Sequence, residues 1–241
     1  MMRHVRVAAI AAAVTFSAGA AQAVTITNGS FEAAFAGWSL IGVTSIETAA
    51  FGTGPTAGTN QALLDTTSLG AGASDAAIEG FLGAALGSLD AASATTANGG
   101  DATIGSAILQ SVTTVVGEEI SFDFNFATNE ATPTVFNDAA FFYADGAFTL
   151  LSDTNDPGFS TSSTAFNEET GFSTFNYVFT TSGVQNIGFV VLNEEDGLVN
   201  SGLLVDNIVG NTSAVPLPGT LALMLAALGG FVLIGRRRRM V

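Results

Sequence analysis

The chain has 241 residues, no cysteine, a single histidine and a formal net charge of −15 at pH 7. Its six basic residues and its histidine all lie within the first six or the last six positions, so residues 24–235 combine 21 acidic side chains with no Lys, Arg, His or Cys. This inventory excludes Ser-His-Asp and Cys-His catalysis, His- or Cys-based zinc sites and lysine Schiff bases from that region, and it makes nucleic acid an unsuitable partner.

The N-terminus predicts a Sec-type signal peptide over residues 1–23. Two arginines precede the apolar run VAAIAAAVTF, and Ala21-Gln22-Ala23 forms an A-x-A cleavage site. The apolar run is too short to span a membrane. We therefore expect export of an unfolded chain and a mature protein that begins at Val24, with a formal charge of about −21 once both ends are removed.

Residues 24–211 predict one mainly β domain, an antiparallel jelly-roll β-sandwich. Ile120–Phe126 (ISFDFNF) alternates apolar and polar residues with the period of a half-buried strand, and Phe175–Phe179 (FNYVF) does the same. Ala139–Leu151 predicts a hairpin with Asp145-Gly146 as a type I′ turn. Further strands are expected at Val24–Thr27, Trp38–Ile46, Gln61–Asp65, Ala107–Val116, Gln185–Leu192 and Leu203–Val209.

One short inserted helix is predicted over Asp75–Leu89 (DAAIEGFLGAALGSL), where apolar residues recur at helical spacing. Asp75 is the expected N-cap, and three glycines weaken the helix. We expect this helix to lie across one end or face of the sandwich. The segment Ala91–Gly100 is predicted to be a flexible loop, and the glycine-rich segment Gly52–Pro55 a loop without phosphate-binding function.

The C-terminal segment, residues 212–241, predicts a membrane anchor. The 21 residues 215–235 are uncharged and long enough for a single transmembrane helix across the inner membrane. The arginines that follow should stay on the cytoplasmic side, so that the domain lies outside the cytoplasm. Two motifs mark the ends of this run. A VPLP box begins it and four arginines follow it, and their residues are Val215, Pro216, Leu217, Pro218, Arg236, Arg237, Arg238 and Arg239.

This arrangement of a VPLP box, an apolar helix and an arginine cluster resembles the PEP-CTERM sorting signals of Gram-negative bacteria, and most closely their VPLPA variant. Here Gly219 and Thr220 follow the box. The resemblance implies recognition by an exosortase, a membrane cysteine protease. It would cut near the box and transfer the protein to the cell surface or the exopolysaccharide matrix. A plain anchor that is never cut is the alternative.

Two segments of the domain, Asn28–Glu32 (NGSFE) with the following Gly37-Trp38, and Leu203–Ile208 (LLVDNI), are similar to the first and last strands of jelly-roll domains. These include galactose-binding-like domains and carbohydrate-binding modules. The resemblance implies a structural Ca²⁺ ion at the matching carboxylates, Glu32 and Asp206. An acidic chain without competing ammonium groups suits an ion that prefers oxygen ligands. The alternative is two solvated or hydrogen-bonded acids.

A second acidic cluster is predicted if its loops converge, and it would bind another ion. Its members are Glu130, Asn137, Asp138, Glu194, Glu195 and Asp196. The aspartate-rich segment Asp153–Asp156 is interpreted as a turn, because Pro157 occupies a position where an EF-hand loop needs a ligand.

Trp38, Tyr143 and Tyr177 are the only Trp and Tyr residues, and an aromatic platform for a sugar would have to use them. Core packing is the expectation for these rings. The sequence therefore predicts a non-catalytic protein of the cell surface or extracellular matrix. The alternatives are a carbohydrate-binding module or adhesin of the exopolysaccharide and biofilm matrix, and a glycosidase that uses two carboxylates.

Overall fold

The computed structural model describes residues 23–67, 71–195 and 197–211. The predicted signal peptide up to Gln22, the VPLP box, the apolar segment 215–235, the arginine cluster and Asp196 lie outside the described residues. Within the described residues, no helix has the length and apolar character that crossing a membrane requires.

The described residues form two antiparallel sheets, as predicted for a β-sandwich. Their strands are β1 (Ser39–Ile41), β2 (Val43–Glu47), β3 (Gln61–Asp65), β4 (Ala73–Ser74), β5 (Ala102–Thr114), β6 (Glu119–Thr128), β7 (Asp138–Ala144), β8 (Ala147–Asp153), β9 (Ser160–Thr161), β10 (Glu168–Glu169), β11 (Ser173–Val178), β12 (Gly183–Glu194) and β13 (Ser201–Asn211). Sheet A has the order β1-β5-β12-β7-β8, with β4 beside β5. Sheet B has the order β2-β3-β13-β6-β10-β9, with β11 beside β6.

The core between the sheets is built from phenylalanines, as the alternating pattern of β6 predicts. Phe122 of sheet B lies 4.9 Å from Phe142 and 4.7 Å from Phe189 of sheet A, measured between ring centroids. The predicted strand residues Ile120, Phe124 and Phe126 also belong to the buried core. Their polar neighbours therefore lie on the outer face of sheet B, because successive side chains of a strand point to opposite sides.

The hairpin of β7 and β8 confirms the predicted turn. Asp145 and Gly146 both have positive φ, 52° and 77°, as a type I′ turn requires. The Asp145 carboxylate accepts hydrogen bonds from the Tyr177 hydroxyl and from the backbone and hydroxyl of Thr180. Burial raises the pKa of Asp145, but these bonds outweigh it and lower the pKa to about 2.

The predicted single helix is wrong, because two short helices replace it. The first, α1 (Asp75–Leu82), begins after Ser74, which is the N-cap in place of Asp75, and ends where Gly83 adopts φ 78°. The second, α2 (Ser88–Ser93), occupies the start of the predicted loop. The buried Glu79 carboxylate joins them by accepting the backbone N–H groups of Gly87 and Leu89. Both helices cover the outer face of sheet A.

The first two predicted strands also differ from the structure. Gly42, with φ 80°, divides the expected strand Trp38–Ile46 into β1 in sheet A and β2 in sheet B. The expected strand Val24–Thr27 is irregular, because the side-chain amide of Gln110 takes the place of a strand partner. Its Oε1 accepts the Thr27 N–H at 2.8 Å, and its Nε2 donates to the Thr27 carbonyl at 2.9 Å.

Candidate ligand-binding and metal-binding sites

The structure brings the two predicted calcium ligands, Glu32 and Asp206, to one loop. The Asn28–Glu32 turn lies beside β13, where the Ile208 N–H donates to the Gly29 carbonyl at 3.0 Å. The first segment therefore contacts the last strand. Both carboxylates then contact residues 52–60, the loop that precedes β3, which we call the threonine loop.

Each carboxylate is held by N–H donors of the threonine loop. Glu32 Oε1 accepts the N–H groups of Thr59 and Asn60 at 2.7 and 2.9 Å, and these bonds lower the pKa of Glu32. Asp206 Oδ2 accepts the N–H groups of Thr56 and Ala57, both at 2.7 Å. Asp206 is fully buried, and its burial raises the pKa despite these bonds.

The hydrogen bonds of the Glu32 and Asp206 carboxylates affect whether a cation can bind to them. Glu32 Oε2 accepts the Thr59 hydroxyl and Asp206 Oδ1 accepts the Asn207 N–H, so all four carboxylate oxygens already have donors. Glu32 Oε2 and Asp206 Oδ1 each accept only one of these bonds, so a cation would compete with the donors for the carboxylate oxygens. Among the described residues, no group of three or more Asp, Glu, His or Cys could hold a metal ion. Calcium at this site stays a prediction.

The threonine loop (GTGPTAGTN) presents one threonine to each of three carboxylates. The Thr53 hydroxyl lies 2.8 Å from both oxygens of Glu169. The Thr56 hydroxyl lies 3.3 Å from Asp206, and that of Thr59 lies 2.8 Å from Glu32. Sequence reasoning missed Glu169 and the role of this loop. The T-x-x-T-x-x-T spacing, in a region with no basic residue, was the available signal.

A further acid, Asp123, lies on the same outer face of sheet B. Asp123 is opposite Asp206 in the strand register and accepts hydrogen bonds from Thr174 and Asn207. Burial raises the pKa of Asp123, but these bonds give a net lowering. Asn125 donates to Glu169 at 2.6 Å. Because the threonine loop covers Asp206, the Asp123–Asp206 pair does not face an open cleft, which a two-carboxylate hydrolase needs.

The second predicted cluster is divided between two faces of sheet A. Asn137 and Glu194 come together, with Asn137 Nδ2 3.1 Å from Glu194 Oε2. The neighbouring Asp138 instead accepts the Ser201 hydroxyl of sheet B, because adjacent residues of a strand point to opposite sides. Glu130 lies in the turn after β6, where its N–H donates to Thr128. Glu195 accepts the Asp101 N–H at 3.1 Å.

Glu194 is the least satisfied of the buried acids described. Its Oε2 accepts weak bonds from Thr96 and Gly100 at 3.2 and 3.3 Å. Its Oε1 is buried without a hydrogen-bond partner among the described residues. Burial is the dominant effect and raises the pKa of Glu194.

All three candidate sugar-stacking rings pack in apolar clusters, as expected. Trp38 contacts Phe31 and Phe189, with ring centroids 5.6 and 6.1 Å apart. Tyr177 packs against Phe142 at 5.3 Å, and its hydroxyl is occupied by Asp145. Neither ring is available as an exposed platform.

Tyr143 is also buried, in the apolar layer on the outer face of sheet A, where it lies 4.9 Å from Phe148 between ring centroids. It borders a cavity of about 260 Å³. Leu82, Gln185 and Asn186 also line this cavity. Asn186 is occupied, since it donates to the Leu82 carbonyl at 2.9 Å and accepts the Ser111 hydroxyl at 2.7 Å.

Two polar groups in the lining have unused hydrogen-bonding capacity. Gln185 Nε2 donates to Thr114 and Thr181, but its Oε1 accepts no bond from the described residues. The Tyr143 hydroxyl likewise makes no hydrogen bond to the described part of the chain, and it borders the cavity while the ring is buried. Both groups border the cavity and are open to solvent, so the cavity offers one donor and one acceptor to water or to a polar ligand.

No protein-family model matches this chain, and no curated protein matches it either. Among solved structures, it is similar to TmCBM61 in complex with β-1,4-galactotriose, with 10% identity, a TM-score of 0.41, and 80% of this chain and all of that chain covered. It is also similar to the non-crystalline-cellulose-specific carbohydrate-binding module CBM28, with 13% identity, a TM-score of 0.39, and 78% and 95% of the two chains covered.

An exo-β-1,3-galactanase from Phanerochaete chrysosporium is a further neighbour, with 9% identity and a TM-score of 0.32. The match covers 73% of this chain and 28% of the galactanase chain.

Proposed function

We propose that the β-sandwich is a non-catalytic carbohydrate-binding domain of jelly-roll type, and that it binds a neutral sugar in the cavity beside Tyr143. The observation that carries this proposal is the pair of unused polar groups, the Tyr143 hydroxyl and Gln185 Oε1, in one cavity. A sugar hydroxyl both donates and accepts, so two neighbouring hydroxyls of one ring can satisfy both groups.

The size and chemistry of the cavity support this ligand class. Its volume of about 260 Å³ falls just below the usual range of about 300–1,000 Å³ for small-molecule pockets, which suits a single sugar ring. The residues that line it carry no carboxylate, so two-carboxylate hydrolysis has no acid or base there. Tyr143 is protonated near neutral pH, as tyrosines ordinarily are, and burial raises its pKa further.

The test compares two tyrosine variants that each lose one hydroxyl. Calorimetric titration with a panel of neutral mono- and oligosaccharides should show binding to the wild type. Tyr143→Phe should weaken it about five- to tenfold, the effect of one lost hydrogen bond. Tyr177→Phe is the matched control and should keep the wild-type affinity. The absence of binding to any sugar, or an unchanged affinity of Tyr143→Phe, contradicts the proposal.

The route to the surface is a second part of the proposal. Sec-type export with cleavage after Ala23, insertion of residues 215–235 in the inner membrane and exosortase cleavage near Val215–Pro218 would deliver the domain to the cell surface or exopolysaccharide matrix. The segregation of all basic residues into the two end segments supports it. Mass spectrometry of the native surface form should find Val24 as the first residue and no trace of Arg236–Arg239. Retained arginines would rule out exosortase processing.

A structural Ca²⁺ ion is the third part of the proposal. Glu32 and Asp206 would hold it, and a second ion would use Glu130, Asp138 and Asp196. When bound, the ion would offset the repulsion within an acidic domain. The adjacency of Glu32 and Asp206 on the threonine loop supports the first site, while the donors already present there oppose it.

A further inference from the structure

Both termini of the described domain lie at one end of the sandwich. A side chain on Gly210 would overlap the Val24 carbonyl, so the start of the mature chain touches the last strand. Asn211, the last described residue, is paired with Glu119 at the start of β6. The chain therefore leaves toward the C-terminal segment from the same end at which the mature protein begins.

The connection from this end to the apolar segment is short. Only three residues separate Asn211 from Val215, the first residue of the segment 215–235. At about 3.6 Å per residue, the distance from Asn211 to Val215 cannot exceed roughly 14 Å. If residues 215–235 span a bilayer, this end of the domain must lie within that distance of the membrane surface.

The same end exposes apolar side chains, which we call the valine end: Val115, Val116, Val178 and Val209. Val115 and Val116 follow β5 and are 57% and 60% exposed. Val178 lies opposite Glu119 and is 50% exposed, and Val209 lies opposite Ser121 on the neighbouring strand. Single exposed valines are ordinary on protein surfaces. Four of them around the point where a membrane segment leaves the domain form a surface suited to a bilayer interface.

The charges of this end select the kind of lipid. Glu118 and Glu119 lie beside the valines, and the Val115 N–H donates to the Glu118 carboxylate at 2.7 Å. Anionic lipids would repel these acids, whereas zwitterionic headgroups present ammonium groups that can pair with them. The apolar and charged groups together fit a phosphatidylcholine or phosphatidylethanolamine surface.

We infer that the valine end docks on zwitterionic lipid headgroups while residues 215–235 anchor the chain, an inference that rests on the proposed anchoring. The opposite end, where Val135 and Phe136 follow β6, then faces away from the membrane. The sandwich stands with its strands directed out from the bilayer, because β6 runs from the valine end to the opposite end.

The absence of cysteine allows a direct test with single spin labels. The full chain carrying Val115→Cys, Val116→Cys or the matched control Val135→Cys is labelled with a nitroxide. It is then reconstituted in phosphatidylcholine–phosphatidylethanolamine vesicles. All three positions are exposed, so the label should not disturb the core. Collision rates with oxygen, which concentrates in lipid, and with a water-soluble nickel chelate are measured by electron paramagnetic resonance.

The expected result is an oxygen-to-nickel collision ratio at positions 115 and 116 that is about threefold or more above that at position 135, since apolar side chains at an interface enter the headgroup boundary. Equal ratios in protein that floats with the vesicles would overturn the inference and leave the anchor intact. Protein that does not float with the vesicles would overturn the proposed anchoring and this inference with it.

Discussion

The outer faces of the two sheets stabilise acidic side chains in different ways. On sheet B, the carboxylates of Glu32 and Glu169 receive hydroxyl and N–H donors from the threonine loop. On sheet A, the helices and the following loop cover Glu194, and one of its oxygens lacks a partner among the described residues. The difference shows how a domain without basic residues can bury acids. Hydroxyl and amide donors can replace ion pairs, but only where a loop supplies enough of them.

The largest effect should come from removing a carboxylate beneath the threonine loop. Asp206→Ala leaves the N–H groups of Thr56 and Ala57 without acceptors in a buried site, and should lower the free energy of unfolding by about 2–4 kcal/mol. Asp101→Ala, at an exposed acid, is the control and should change it by less than about 0.5 kcal/mol. Urea denaturation measures both. Equal effects would mean that the loop does not depend on Asp206.

Next in size should be the loss of single threonine hydroxyls. Thr53→Val should cost about 1.5–3 kcal/mol, the range for hydrogen bonds to charged groups, because its hydroxyl serves both oxygens of Glu169. Thr56→Val should cost less, since its bond is 3.3 Å long. Thr113→Val, on an exposed part of β5, is the matched control. If Thr53→Val and Thr113→Val unfold at the same urea concentration, the loop is held by its backbone donors alone.

A smaller effect concerns pH: the contributions of Glu169 on sheet B and Glu194 on sheet A to stability should change in opposite directions as pH falls. The pKa of Glu169 is lowered, since hydrogen bonds outweigh its burial, so its contribution to stability is present above the pKa of the unfolded chain and is lost as pH falls through the lower folded value. The pKa of Glu194 is raised by burial, so the folded state gains stability as pH falls through that value.

Thermal unfolding between pH 3 and pH 8 tests this contrast. The stability difference between wild type and Glu169→Gln should shrink toward low pH. Glu194→Gln should raise stability at neutral pH by about 1 kcal/mol or less and lose this advantage at low pH. If the stability differences of both variants from the wild type changed with pH in the same direction, the contrast between Glu169 and Glu194 would be refuted.

The smallest expected effect concerns calcium. If Glu32 and Asp206 bind Ca²⁺, EDTA should lower the melting temperature of a metal-loaded, low-salt preparation by a few degrees, since a ligand that binds only the folded state stabilises it. Asp206→Asn should then be insensitive to EDTA. An unchanged melting temperature of the wild type would show that the loop donors, rather than a cation, neutralise this site.

The features that the sequence predicts correctly are local. The alternation in β6 and the Asp145-Gly146 turn depend on neighbouring residues, so both could be read directly. The break between α1 and α2 was not predicted, because glycines occur at three positions of the segment and the pattern does not show which of them, here Gly83, ends the helix in the left-handed conformation. The split of the second cluster could have been foreseen, since Asn137 and Asp138 are adjacent at the start of a strand.

The hydrogen-bond partners of the acidic residues could not be predicted from the sequence, for a different reason. Glu169 and Thr53 are 116 positions apart, and nothing local to either residue indicates that they meet. The cavity beside Tyr143 could not be predicted for the same reason, because it forms where the end of α1 meets β7 and β12, which are distant in sequence. The sequence singled out Tyr143 only because the domain contains so few tyrosines.

The position of β13 has a mechanical consequence. It lies inside sheet B, between β3 and β6, and its last residue leads directly into the segment proposed as the anchor. A pulling force on an anchored cell surface would therefore act along β13 and load its inter-strand hydrogen bonds together in shear, since these bonds lie perpendicular to the strand. Rupture would require two ladders to slide at once, so the strand nearest the tether should be among the last to yield.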